Sequence, residues 1–243
     1  MPSRELTDKV ALVTGASRGI GAATALLLAE GGTDVVINYR SKAPRAEEVA
    51  AQVESLGRQA LLAQADITDA AERSAMAESV RAHFGHLDLL ILNASGGMEK
   101  DKEAGYALRL NRDAQLATLD ALLPLMAPGS RVVFVTSHWA HFYGTYPVAP
   151  VYEAVAASKK AGEDALRARI PELAARGIRL TIVSGDGIEG TITVKLLERV
   201  QRGALDSSRD LPTIAEFAAA IVASATDDSL PSGHIAFIGS IEP

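Results

Sequence analysis

Cysteine is absent from the 243 residues. That excludes disulfides, thiolate nucleophiles and cysteine-ligated metals. Aromatic residues are scarce: 5% of the chain, with a single Trp, so a local cluster of them stands out. No run approaches 18 uninterrupted apolar residues, which argues against a membrane-spanning helix. The opening Met1-Pro2-Ser3-Arg4-Glu5 leads directly toward a strand without a secretory-type apolar stretch, so a cytoplasmic location is expected. Positive charge is not in excess either. Twenty-four Lys and Arg against thirty Asp and Glu leave a net −6, which gives no general attraction for nucleic acid.

What is present suits a soluble globular protein: 48% apolar and 22% charged residues. No internal repeat or low-complexity linker divides the chain, and a single domain over residues 1–243 is expected. Short apolar runs alternate with helical stretches. Strands are read at 10–14, 35–37, 60–65, 87–92, 131–136, 180–183 and 235–238. Helices are read at 19–30, 44–56, about 15 residues after Thr68, 106–126, 153–175 with Pro171 breaking or bending it, 190–201 and 213–224. The strand runs are continuous rather than alternating, so both faces are buried. With helices between them, this predicts an α/β fold: three layers, doubly wound, around a predominantly parallel seven-stranded sheet.

The clearest local signal is Thr14-Gly15-Ala16-Ser17-Arg18-Gly19-Ile20-Gly21, between the first strand and first helix. Gly15 permits a tight turn, Gly19 lets a pyrophosphate approach the backbone, and Gly21 lets helix and sheet pack closely. Free N–H groups and the helix dipole then favour phosphate, as in a Rossmann dinucleotide site. The Gly-Lys-Ser/Thr ending of a P-loop is missing, which disfavours ATP hydrolysis. The second strand ends in Asn38-Tyr39-Arg40-Ser41-Lys42, without the acidic residue that would accept from the ribose hydroxyls of NAD. Arg40, with Arg18 in the turn, suits a 2′-phosphate, so NADP(H) is expected in preference to NAD(H). The opposing reading leaves Arg40 and Lys42 as solvated surface charges. Asp66, followed by Ile67, could accept from the adenine amino group or cap the helix after Thr68.

These motifs resemble the short-chain dehydrogenase/reductase family over nearly the whole chain. The resemblance rests on the Thr-Gly-x-x-x-Gly-x-Gly turn, on Asp66, and on Asn93-Ala94-Ser95-Gly96, which is similar to the family's Asn-Asn-Ala-Gly strand end. Leu92 replaces the first asparagine there and Ser95 the glycine. It implies that the Asn93–Ser95 segment lies beside adenosine. Asn111 is implied as the active-site asparagine that helps hold a water relay, and Ser137 as the catalytic serine. Gly185 is implied in the step beside nicotinamide, with Ser184 replacing proline. Ile188 would face the nicotinamide amide through its backbone, and Thr191 would contact the phosphates. Dimers or tetramers through the helices near 106–126 and 153–170 are also implied, as is a substrate-covering segment at about 186–212.

The resemblance fails at the catalytic pair. The family places a Tyr four residues before a Lys, one helical turn apart, so that the ammonium lowers the phenol's pKa. Here Ala157-Ser158-Lys159-Lys160-Ala161 nominates Lys159, and four residues earlier stands Val155, which has no proton to give. The nearest upstream tyrosine is Tyr152, seven residues away, about 10 Å along a helix axis. Three arrangements stay open. Tyr152 could lie at the helix start and fold over the nicotinamide. Another group, His138, His141, Tyr143, Tyr146 or water, could be the acid. Or the acid is lost, and the chain is a non-catalytic NADP(H)-binding or regulatory protein. In the first two, the chain is an oxidoreductase that moves hydride between nicotinamide and a small organic carbonyl or alcohol. The segment His138-Trp139-Ala140-His141-Phe142-Tyr143-Gly144-Thr145-Tyr146-Pro147 gathers the only Trp and suits an apolar or aromatic carbonyl substrate, or else a packing loop or subunit contact. Lacking a third ligand nearby, its two histidines do not suggest zinc.

Overall fold

A computed structural model describes residues 6–98, 102, 103, 105–191, 194, 195, 199 and 211–241. Seven strands form one all-parallel sheet in the order β3-β2-β1-β4-β5-β6-β7. They are β1 (Val10–Val13), β2 (Asp34–Tyr39), β3 (Ala60–Gln64), β4 (Leu89–Leu92), β5 (Arg131–Ser137), β6 (Arg179–Gly185) and β7 (Ile235–Ile238). The helices between them are α1 (Gly19–Glu30), α2 (Ala43–Ser55), α3 (Ala70–His83), α4 (Tyr106–Leu108), α5 (Ala114–Leu122), α6 (His138–His141), α7 (Glu153–Arg167), α8 (Ile170–Ala175) and α9 (Ile214–Thr226).

The continuous apolar strands have a direct cause. Within β1, Val10 and Leu12 point into a core shared with α3, α5 and α7, which contribute Met76, Leu119 and Leu166. Ala11 and Val13 point into the opposite core, against Leu28 of α1, Val53 of α2 and Phe217 of α9. A strand covered on both faces cannot alternate apolar with polar residues. The seven-stranded, three-layered expectation therefore holds, and the sheet is wholly parallel.

Some expected helix bounds need correction. The stretch expected as one helix over 106–126 is broken: a π-helical turn, Arg109–Asp113, separates α4 from α5, and a short 3-10 turn, Leu123–Leu125, follows. The expected helix at 153–175 becomes two, and Pro171 stands at the start of α8, where its missing N–H costs nothing. Neither Thr68 nor Asp66 caps α3. That is done by Asp69, whose side chain accepts from Glu72 N–H. The helix expected at 190–201 and the covering segment at 186–212 fall largely outside the described residues. Among the described residues no helix is long and apolar enough to cross a membrane.

Chain order places the ligand crevice. β1 has β2 on one side and β4 on the other, so connections leave their carboxyl ends in opposite directions and open a gap.

Candidate active site

A cavity of about 820 Å³ runs across the carboxyl ends of the sheet. All of the candidate cofactor residues line it: Gly15, Ser17, Arg18, Gly19, Ile20, Gly21, Asn38, Tyr39, Arg40, Ser41, Asp66, Ile67, Asn93, Ala94, Ser95, Lys159, Gly185, Ile188 and Thr191. Ser137 and Tyr152 line it too. It joins the glycine turn after the first strand to the Ser137 and Tyr152 hydroxyls.

At one end is the glycine turn. Gly15 has φ 67° and Gly19 has φ 57°, in the left-handed region that favours glycine. A Cβ on Gly21 would stand 2.5 Å from Gly15 O and 2.6 Å from Asn93 Nδ2, so this packing admits no side chain. Among the described residues no side chain caps α1, whose N-cap position is Arg18. Its first N–H groups are thus left for an anion. Asn38 supports the turn through its own amide: Oδ1 accepts from Gly15 N–H (3.3 Å), and Nδ2 donates to the carbonyls of Ala63 and Ala65. Asn93 stitches β4 to β1 by donating from Nδ2 to Thr14 O (2.9 Å), while Leu92, in place of an asparagine, is wholly buried in the core. These residues fit a pyrophosphate-bearing cofactor.

Arg40 and Asp66 come together at the ends of β2 and β3. Arg40 Nη1 is 3.9 Å from Asp66 Oδ2 and donates to Tyr106 Oη at 2.5 Å. Asp66 Oδ1 accepts from the N–H and hydroxyl of Thr68. Burial works to raise the Asp66 pKa, but the two Thr68 bonds and the charges of Arg40 and Lys102 outweigh it and hold the carboxyl below its ordinary value.

At the other end lies the chemistry. Tyr152 stands at the N-cap of α7, not inside the helix. This placement lets its ring leave the helix axis, and Tyr152 Oη comes 3.3 Å from Ser137 Oγ; either hydroxyl can donate. Ser137 N-caps α6 and accepts from Ala140 N–H. The Tyr152 ring packs on Trp139 with centroids 5.3 Å apart. Burial raises the phenol's pKa, and the Ser137 bond pulls it the other way. Burial alone lowers Lys159 to about 8. Val155, where the family carries its phenol, is buried and lines the cavity among Tyr152, Ala156, Trp139 and Met98.

The other acid candidates separate. His138 lines the cavity, with Nδ1 2.8 Å from Ser184 Oγ, and burial lowers its pKa. The serine in place of proline therefore has a partner. His141 turns away and pairs with buried Glu163, Nδ1 to Oε1 2.8 Å, tying α6 to α7. Tyr143 and Tyr146 line a separate hollow of about 420 Å³. Asn111 is not on the cavity wall. Its Nδ2 donates to Gly96 O and Ser158 Oγ at 2.8 and 2.9 Å, fastening the end of β4 to α7 beside Lys159. Thr191 spends its hydroxyl locally, donating to Ile188 O and accepting from Val194 N–H. Sequence reasoning missed Tyr106 and Met98 as cavity residues, because nothing local shows where a helix start or an apolar side chain will point.

Residues 9–201 match the family described as short chain dehydrogenase. The chain belongs to this family. A hydroxynaphthalene reductase of Aspergillus fumigatus is 34% identical over 192 residues, covering 76% of this chain and 68% of the relative. Versicolorin reductase 1 of Aspergillus parasiticus is 41% identical over 145 residues, covering 57% and 55%. Among solved structures, the promiscuous reductase LugOII, which catalyses keto-reduction at C1 during lugdunomycin biosynthesis, has a TM-score of 0.83 at 27% identity, covering 98% and 99% of the two chains. A short chain dehydrogenase from Burkholderia cenocepacia in complex with NADP has a TM-score of 0.82 at 29% identity, covering 97% and 98%.

Proposed function

We propose that this chain is an NADP(H)-dependent reductase acting on a carbonyl group, with Tyr152 as its acid and an aromatic ketone or quinone as its substrate class. The observation that carries the reading is the approach of Tyr152 Oη to Ser137 Oγ, 3.3 Å, on the wall of the cavity that the glycine turn also lines. A displaced phenol can serve if it reaches the reacting oxygen, because such sites are defined by geometry. The apolar lining of Trp139, Met98 and Val155 supports a flat aromatic substrate, as do relatives named for reducing hydroxynaphthalene and versicolorin.

The cradle of Gly15, Gly19 and Gly21 would hold the pyrophosphate and Arg40 the 2′-phosphate. Lys159 would hold the nicotinamide ribose. When bound, NADPH supplies the hydride that adds to the carbonyl carbon. Ser137 Oγ orients the carbonyl oxygen. Tyr152 Oη donates its proton to that oxygen as negative charge develops there, and burial, which raises its pKa, keeps it protonated for the task. Solvent then returns a proton to the phenolate, and the alcohol leaves.

A second reading has a specific observation behind it: Val155, which has no proton to give, stands on the cavity wall where the family carries its phenol. It describes a protein that binds nucleotide without turnover. Steady-state oxidation of NADPH separates the two. Aromatic ketones, quinones and aliphatic ketones are offered, with NADH as the parallel donor. The reductase reading expects substrate-dependent oxidation, fastest with the aromatic compounds. Tight NADPH binding without oxidation under any of them would favour the second.

A further inference from the structure

Tyr106 is almost fully buried, at 3% exposure, yet it lines the cavity, where Arg40 and Asp66 come together. A buried phenol hydroxyl needs a polar partner. Among the described residues, Arg40, 66 residues earlier in the chain, is one such partner, with Nη1 to Oη 2.5 Å. The ring is also flanked by cations. Lys102 Nζ stands 4.7 Å from its centroid, and the Arg109 guanidinium 5.7 Å. One side chain thus gathers Arg40 by its edge and Lys102 by its face, beside Asp66.

We propose that Tyr106 is a specificity-determining residue for the cofactor: it positions Arg40, with Lys102 as a second cation, to receive a 2′-phosphate. The inference rests on the NADP(H) reading above. Arg40 alone is a long, half-exposed side chain, its exposure 43%, and Asp66 is an alternative partner for its charge. An arginine free to choose that carboxylate is a poor phosphate receptor. Tyr106 fixes one nitrogen of the guanidinium and leaves its other N–H donors for an anion, since among the described residues only Nη1 of that group is engaged. Because Tyr106 opens the helical stretch that carries Asn111, the arginine is held by an element anchored at the reaction centre.

The test is a set of dissociation constants for NADPH, NADH, 2′,5′-ADP and 5′-ADP, measured by calorimetry on wild type, Arg40→Ala, Tyr106→Phe and the double variant. Tyr106→Phe keeps the ring and its cations and removes only Oη. It is expected to weaken NADPH and 2′,5′-ADP about tenfold, in line with loss of a hydrogen bond to a charged group. NADH and 5′-ADP should shift little, and the substitution should cost almost nothing once Arg40 is Ala. A packing role would weaken all four ligands together, which would overturn the proposal. Were wild type to prefer NADPH, and Arg40→Ala to abolish the preference while Tyr106→Phe left it intact, this inference alone would fall. A wild type that binds NADPH and NADH equally would remove both the inference and the NADP(H) reading.

Discussion

Lys159 and Tyr152 show how little a motif string says about burial. Spacing nominates the lysine, and the Ala-Ser-Lys context supports it, but only the fold shows that it is buried enough to fall to about 8. That value has two consequences. First, Lys159 is mostly charged at pH 7 and loses its charge as pH rises through about 8, so NADPH affinity and turnover should decline above that point in a pH profile. Second, burying the charge destabilises the folded state. Between about 8 and the ordinary 10.5 the unfolded chain holds a proton that the folded chain does not, so this destabilisation fades as pH climbs through that window. Lys159→Met should therefore stabilise the fold at pH 7, by up to about 3 kcal/mol on the scale of such a shift, and by much less near pH 10. Urea unfolding at the two pH values checks the sign. At this scale, the glycines and Arg40 were legible because their chemistry is local. Tyr106 was not, because its partner is 66 residues away. Nor could the sequence choose among Tyr152, His138 and Tyr143, which differ in where the segment after β5 turns.

Hydrophobic pattern made the elements readable, and its failures have physical causes. α1 and β7 stand where the apolar runs put them. The stretch over 106–126 reads as one helix because a π-helical turn preserves hydrophobic content while adding one residue per turn. That turn has a structural counterpart in α7: a Cβ on Gly162 would overlap the backbone carbonyl of Asn111. Gly162→Ala must therefore push the turn away from α7 and disturb the bonds of Asn111 to Gly96 and Ser158. We expect a loss of about 1–3 kcal/mol, the range for an overpacked core, read as a lower thermal midpoint. An unchanged midpoint and unchanged turnover would mean the contact is slack. α6 went unread because four residues are too few for a period, although Ser137 as its N-cap is the usual residue type.

The whole molecule was the most legible level. Strands buried on both faces, with helices between them, admit few arrangements, and the observed order puts its switch point between β1 and β4, under the glycine turn. The homo-oligomers through the helices of the central region that the resemblance implies are tested by light scattering coupled to gel filtration. Cofactor choice is testable on the intact protein as well. At concentrations well above its dissociation constant, NADPH should raise the thermal midpoint, and the same concentration of NADH should raise it less. Equal shifts would remove the 2′-phosphate reading of Arg40.

The most direct test concerns Tyr152. Single-turnover reduction of an aromatic ketone by enzyme preloaded with NADPH is compared for wild type and Tyr152→Phe, with nucleotide affinity measured on both. Loss of a proton donor predicts a rate lower by about 10²–10⁴-fold, with NADPH affinity nearly unchanged. A Tyr152→Phe variant that reduces the ketone at the wild-type rate would contradict the account and assign the acid elsewhere.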